Sequence, residues 1–385
     1  MKKVLVALLV TVLAFGLAAC DTKKTYEIGL VTDVGTINDK SFNQGAWEGV
    51  EKYAEEFNIS YKYYQPDSKT TEDYVKSIEV AVNNGAKVIV TPGYLFENAI
   101  WLVQDEYPFV KFILLDGAPN NVTDWGDDDT PPTTIENKPM NFEIGSNVYS
   151  VFYAEHESGF LAGYAAVKEG FTKLGFMGGM SVPAVVRFGL GFVQGANYAA
   201  NEMTALGDDS IEIKFEYLNS FAPDNAHQTK AASWYSSGTE VIFVAAGGAG
   251  NSVMKAAEQA TGDKYVIGVD VDQSAESDTV ITSAKKELAI SVYDVLTEIY
   301  QNRVLTETVE QVTSIVQSNG RSITLDASVD GVGLPQDFSR FSTFTKVMYD
   351  AIFAKLSAKT VTIVSDIATA PDTLVGTKVT VVVIG

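Results

Sequence analysis

Tyr26-Glu27-Ile28-Gly29-Leu30-Val31-Thr32-Asp33 is a short apolar run that ends on a carboxylate, and it leads through Gly35 and Asn38-Asp39-Lys40 into Ser41-Phe42-Asn43. A run of this length, rich in β-branched residues and bounded by turn residues, reads as a buried strand of the parallel type. From Ser41 to Phe57 the period changes. Phe42, Ala46, Val50, Tyr53, Ala54 and Phe57 recur at helical spacing on one face. The alternation continues beyond this unit, with strands expected at 60–66, 87–94 and 111–117 and a helix at 73–83 that lines up Tyr74, Ile78, Ala81 and Val82. Strand, helix, strand with right-handed crossovers builds a doubly wound sheet, so the fold class is α/β.

From Ala118 to Ser146 the alternation fails. Asp127-Asp128-Asp129-Thr130-Pro131-Pro132 is too polar and too proline-rich for a core element, and the stretch reads as a surface loop or insertion. A second series follows, with strands at 173–180, 211–218, 241–248 and 265–272 and helices at 182–203, 225–237 and 251–261. After Asp272 come an apolar run at 280–283, a helix at 288–301, a run at 322–326 and an amphipathic helix at 341–356. Two similar α/β domains are implied, without a sequence repeat at a fixed period.

The N-terminus has a separate logic. Lys2 and Lys3 precede an uncharged apolar run, Val4 to Leu17, too short to span a bilayer as a helix of ~20 residues. Residues 1–19 therefore read as a signal peptide. Leu17-Ala18-Ala19-Cys20 resembles a bacterial lipobox, in which Cys20 is acylated and becomes the mature N-terminus, with residues 20–25 as a polar tether. Cys20 is the only cysteine of 385 residues, so no disulfide framework is available and the domains must be held by their apolar cores. Hydrophobic residues make up 46% and charged residues 20%, which excludes a disordered chain. The 49 Asp and Glu against 28 Lys and Arg give a net charge of −21, which opposes nucleic acid phosphates as partners.

Ligands of doubly wound sheets sit at the carboxyl ends of the strands. There this sequence repeatedly places carboxylates and glycines: Asp33 and Gly35, Asp116 and Gly117, Gly247 and Gly248, Asp270 and Asp272. An ionised Asp accepts two hydrogen bonds side by side, which suits the vicinal hydroxyls of a sugar, and glycine admits a ligand close to the backbone. Each Asp could instead cap the turn that follows it. Capping is the expected role of Asp39 and Asp272, and ligand binding that of Asp116 and Asp270.

Six motifs then converge. Val31-Thr32-Asp33-Val34-Gly35 with Asn38 to Gln44, Leu114 to Gly117, Glu157 to Gly163, Gly175 to Met180, Gly268 to Gln273 and Thr282 to Lys286 closely resemble, in order, the basic membrane protein family. That family comprises lipoprotein receptors of ABC importers, and its best-understood branch resembles purine nucleoside receptors. The resemblance implies a type I periplasmic-binding-protein-like fold, two α/β domains joined by three crossovers near Tyr153, Asp272 and Asn319. Residues 26–152 and 273–319 would form the N-terminal domain and residues 153–272 and 320–385 the C-terminal one. It also implies a monomeric, lipid-anchored protein on the extracytoplasmic face of the cell membrane, working with an ABC permease. Carried over by position, Asp116, Asp270 and Lys286 would hold ribose, Phe42 and Phe188 would sandwich a purine, and Asp33, Asn43 and Gly248 would touch the base or the rim. Lys285 competes with Lys286 for its place, and Lys286 could instead make a surface ion pair. Phe42 and Phe188 could alternatively be core residues. The sequence departs from the family where residues 127–146 run longer and where Lys286-Glu287-Leu288-Ala289 lacks the usual aspartate.

An enzyme would need machinery that this sequence does not offer. His156 and His227 make no metal cluster, and neither a G-x-S-x-G elbow nor a G-x-x-x-x-G-K-[ST] loop occurs. Gly189-Leu190-Gly191-Phe192-Val193-Gln194-Gly195 mimics a dinucleotide fingerprint but falls inside an expected helix. No cofactor and no metal are expected. Two alternatives stay open: the same fold holding a flavin or another aromatic ribityl or ribosyl compound, and an exported nucleoside hydrolase whose aspartates bind a metal.

Overall fold

A computed structural model of the chain describes residues 24–33, 35–121, 142–304 and 321–384. The signal peptide, Cys20, most of the 118–146 loop and Asn319 lie outside the described residues.

The first series builds a sheet from β1 (Ile28–Val31), β2 (Tyr61–Tyr64), β3 (Val88–Pro92), β4 (Lys111–Leu115) and β5 (Val148–Tyr153), with β11 (Arg321–Leu325) added at the edge. Its order is β11-β5-β4-β3-β1-β2, and every pairing is parallel. The second sheet takes β6 (Lys173–Gly178), β7 (Ile211–Tyr217), β8 (Val241–Ala245), β9 (Tyr265–Asp270), β10 (Val280–Lys286), β12 (Val332–Gly333) and β13 (Val379–Val383) in the order β12-β10-β9-β8-β6-β7-β13. Only the β10–β12 pair is antiparallel. Within each sheet the first five strands follow one order, second-first-third-fourth-fifth. The two domains therefore share a topology that their sequences do not repeat.

Helices cover both faces. The first domain carries α1 (Phe42–Glu56), α2 (Thr71–Asn83) and α3 (Glu97–Val103), and the second carries α4 (Glu155–Glu169), α5 (Pro183–Glu202), α6 (Asn225–Ser236) and α7 (Gly250–Gln259). Near the end of the chain come α8 (Leu288–Val304) and α9 (Lys346–Ser357). Strands β3 and β8 are buried at every position, the mark of a sheet covered on both sides. Helix starts follow the polar residues that precede them: Thr70 accepts from Asp73 N and Asp224 from Ala226 N.

The sheet pairing corrects the expected domain boundaries. Strand β10 pairs with β9 in the second sheet, so residues 273–286 do not belong to the first domain, and β11 pairs with β5 in the first sheet, not the second. An apolar run announces that a strand is buried but not which partner buries it. The chain thus crosses between domains at Tyr153–Glu155, between Lys286 and Leu288, and between Leu325 and Val332. These crossovers lie side by side, for Ala154 N donates to Leu325 O at 2.9 Å and Glu287 N to Gly331 O at 3.0 Å. Helix α8 then packs on α1, where a Cβ at Gly49 would fall 2.6 Å from Ala289 O. Strands β5 and β13 and helix α4 are further elements that the periodicity had not marked.

The glycine run at 189–195 has its explanation here. Helices α4 and α5 cross so closely that a Cβ at Gly163 would lie 2.0 Å from Phe192 O, and one at Gly195 would lie 1.9 Å from Phe160 O. Gly159 and Gly191 face the partner backbone in the same way. The glycines serve helix packing and carry no nucleotide.

Candidate ligand-binding site

The carboxyl ends of both sheets face one another across a cleft of about 590 Å³. Asp33, Phe42, Asn43 and Asp116 line it from the first domain, and Phe188, Gly248, Asp270 and Lys286 from the second. All eight residues singled out in the sequence therefore converge on one cavity. Lys285 turns the other way and pairs with Glu287 at 2.7 Å, while Lys286 is buried.

Three carboxylates surround the Lys286 ammonium. Its Nζ lies 2.5 Å from Asp116 Oδ2, 3.4 Å from Glu155 Oε1 and 3.7 Å from Asp270 Oδ1. The two aspartates occupy equivalent places at the ends of β4 and β9, and both adopt left-handed backbone, with φ of 58° and 66°. Aspartate tolerates this region better than most residues, and the turn aims each carboxylate out of its sheet into the cleft. Burial works against the charge on Lys286, yet Asp116, Glu155 and Asp270 outweigh it and hold the ammonium well above the ordinary lysine range. Burial pushes Asp116 up to about 7 although Lys286 pulls the other way, and it raises Asp270 as well. Asp116 Oδ1 is buried without a hydrogen-bond partner among the described residues. A buried carboxylate oxygen left this way is an acceptor that awaits a donor.

Three aromatic rings, those of Phe42, Tyr153 and Phe188, flank the same ammonium. Phe42 has its centroid 4.6 Å from Nζ and Phe188 has its centroid 5.3 Å away. Phe188 also packs edge-on against Phe243 in the core of its domain, so it serves core and cleft at once. Beyond Phe42, Asn43 Nδ2 donates to Asp33 Oδ1 at 2.8 Å and Gly35 N donates to the same oxygen at 2.6 Å. Burial pushes Asp33 up to about 6 against these two donors. Asp39 receives Ser41 N, Asn43 N and Gln44 N and so caps α1, and Asp272 accepts from Ser274 N in its own turn.

Sequence reasoning passed over several residues that support this site from behind. Glu155, fully buried, accepts from Arg187 Nε at 2.6 Å and faces Lys286 with its other oxygen. Ser41 donates to Asp270 Oδ2 at 2.5 Å, a bond from one domain to the other. Glu97 accepts from Ala118 N and Asn120 Nδ2 and so anchors the loop that follows Asp116. The signal for Glu155 was present, since it follows β5 as Asp116 follows β4, but β5 itself had not been recognised.

This arrangement can accept hydroxyl protons on carboxylates, donate from one ammonium, and enclose a flat ring between two phenylalanines. A family described as ABC transporter substrate-binding protein PnrA-like matches residues 27–373. The chain is 30% identical over 294 residues to the ABC transporter nucleoside-binding protein BmpA of Lactococcus lactis, covering 71% of this chain and 74% of that one. It is 33% identical over 285 residues to basic membrane protein B of Borreliella burgdorferi, covering 73% and 75%. Among solved structures, an ABC transporter solute-binding protein from Aeropyrum pernix superimposes with a TM-score of 0.62 at 22% identity, covering 91% of this chain and 84% of that one. A second, from Conexibacter woesei, reaches 0.61 at 20% identity, covering 89% and 99%. These two establish the likeness of fold, that of periplasmic solute-binding proteins.

Proposed function

The chain belongs to the PnrA-like family of ABC transporter substrate-binding proteins, and on that premise we propose that it is the lipid-anchored receptor of an importer, binding purine nucleosides between its two domains and delivering them to a permease. One observation carries the choice of ligand: the Asp116–Lys286–Asp270 cluster, with its unpartnered Asp116 oxygen, lies between Phe42 and Phe188. A ribose brings vicinal hydroxyl donors to the carboxylates, and a purine brings a flat face to the rings, where stacking contributes ~1–3 kcal/mol per base. The name of the Lactococcus relative supports the same class of ligand. Glycines 247 and 248 at the rim leave room for the ring edge, and Asp33 with Asn43 offers an acceptor and a donor to it.

Denaturing the purified protein and identifying the released small molecule by mass spectrometry tests the reading directly. Calorimetric titration with guanosine, guanine and guanosine monophosphate extends it. The nucleoside should bind tightest, because the free base forgoes the ribose contacts and the phosphate brings ~−1.5 to −2 charges to an acidic cleft. Release of a flavin, or equal affinity for base and nucleoside, would overturn the proposal.

A further inference from the structure

Glu155 lies behind the cleft, not in it. It opens helix α4 at the first crossover, while Lys286 closes β10 at the second, and α4 packs against both β10 and α5. The carboxylate is divided between two cations, Arg187 at 2.6 Å through one oxygen and Lys286 at 3.4 Å through the other. Lys286, Glu155 and Arg187 thus ride together with the second domain, whereas Asp116 arrives with the first. From this placement we infer that Glu155 is a positioning residue for ligand capture: it parks the Lys286 ammonium so that closure brings Asp116 and the ligand hydroxyls onto a charge already in place.

The charge inventory agrees. Facing Lys286 are Asp116 from β4, Glu155 from α4, Asp270 from β9 and the Tyr153 ring from β5 at 5.4 Å. On this inference Asp116 is withdrawn before closure, which leaves Glu155 and Asp270 to hold the ammonium. Arg187 keeps Glu155 ionised, since burial opposes its charge and the two cations overcome that and hold it below the ordinary glutamate range. Glu155 therefore has a second cation, Arg187, besides Lys286.

The inference rests on the nucleoside reading above, and its test separates the two. Guanosine affinity is measured by calorimetry for wild type, Glu155→Gln and Glu155→Asp between pH 6 and 10. The ratio of variant to wild-type affinity at each pH cancels the titration of guanosine itself. Glu155→Gln should bind about tenfold more weakly at pH 7, and the deficit should widen as pH rises, because Lys286 loses a carboxylate that keeps it protonated. Glu155→Asp keeps the charge and should flatten that pH dependence while retaining part of the deficit. Asp116, pushed up to about 7 beside Glu155, adds its own pH dependence near neutrality, so the widening is read between pH 8 and 10, where a merely structural role would give a constant ratio. Thermal melting identifies a variant that fails to fold. In that event Arg187→Gln replaces it, with the deficit then expected to widen as pH falls and Glu155 takes up a proton. A ratio near one, or one independent of pH, overturns the inference, whereas wild type that ignores guanosine overturns the nucleoside reading instead.

Discussion

Asp116 and Asp270 each spend backbone strain, with φ of 58° and 66°, to hold a carboxylate at a strand end. Such strain costs on the order of 1–2 kcal/mol per residue for an ordinary side chain. Asp116→Asn keeps the shape and the tolerance of left-handed backbone but removes the charge. A charge-assisted hydrogen bond contributes about 1.5–3 kcal/mol, so the variant should lose at least tenfold in guanosine affinity by calorimetry with its melting temperature little changed. Asp116→Ala removes both acceptor oxygens and should lose more than a hundredfold. Asp33 gives a prediction in pH. Folding raises it from 3.8 to about 6, so the folded state holds a proton that the unfolded state has released. The stability linked to that proton is fully present below pH 4 and is lost as pH rises through 6. Asp33 still meets solvent at the cleft, which reduces the effect to about 1–2 kcal/mol. Denaturant unfolding should find Asp33→Asn equal to wild type at pH 4 and more stable at pH 8.

Among the elements, the α4–α5 crossing bears most directly on the site, because Glu155 opens α4 while Arg187 and Phe188 sit in α5. Helices this close leave no space for a methyl group at Gly163 or Gly195. Gly195→Ala must push α5 outward, at a cost of about 1–3 kcal/mol from overpacking, despite the better helix propensity of alanine. Because Phe188 and Arg187 move with the helix, nucleoside affinity should fall with the melting temperature. Gly207, whose nearest neighbour would be 4.0 Å away, is the control, and its alanine variant should stay within ~0.5 kcal/mol.

At the scale of the whole molecule, the Lys286–Asp116 pair is joined by three further contacts between the domains near the cleft: Ser41 to Asp270, Gln273 Nε2 to Lys40 O at 2.6 Å, and the Lys40–Glu276 ion pair at 3.4 Å. A receptor of the proposed kind closes on its ligand and reopens at the permease, and these contacts are expected to form on closure. Small-angle scattering should show a smaller radius of gyration with guanosine than without, and Ser41→Ala should weaken binding while leaving each domain folded. An unchanged profile in ligand-free protein would count against closure. The proposed anchor is tested by Cys20→Ser. One acyl chain holds a protein only marginally, whereas a diacylated cysteine supplies two. The variant should appear in the soluble fraction and still bind ligand.

Much of this protein was legible along the chain, because burial and turns are local properties. The change from strand to helical period around Asp33 and Ser41 marks the α/β unit, and carboxylates at the strand ends mark the cleft, since a doubly wound sheet leaves its ligand no other place. Partnership is not local. The run at 280–286 has the same apolar character whether β9 or the first sheet receives it, and only long-range hydrogen bonding assigned it to β9. Glu155 and Lys286 are far apart in sequence and became neighbours because two crossovers run side by side. Gly189 to Gly195, set aside as a nucleotide loop because it falls inside a helix, gained a role only when the backbone of α4 was found against Gly191 and Gly195, for a glycine records that space is short but not what fills the space.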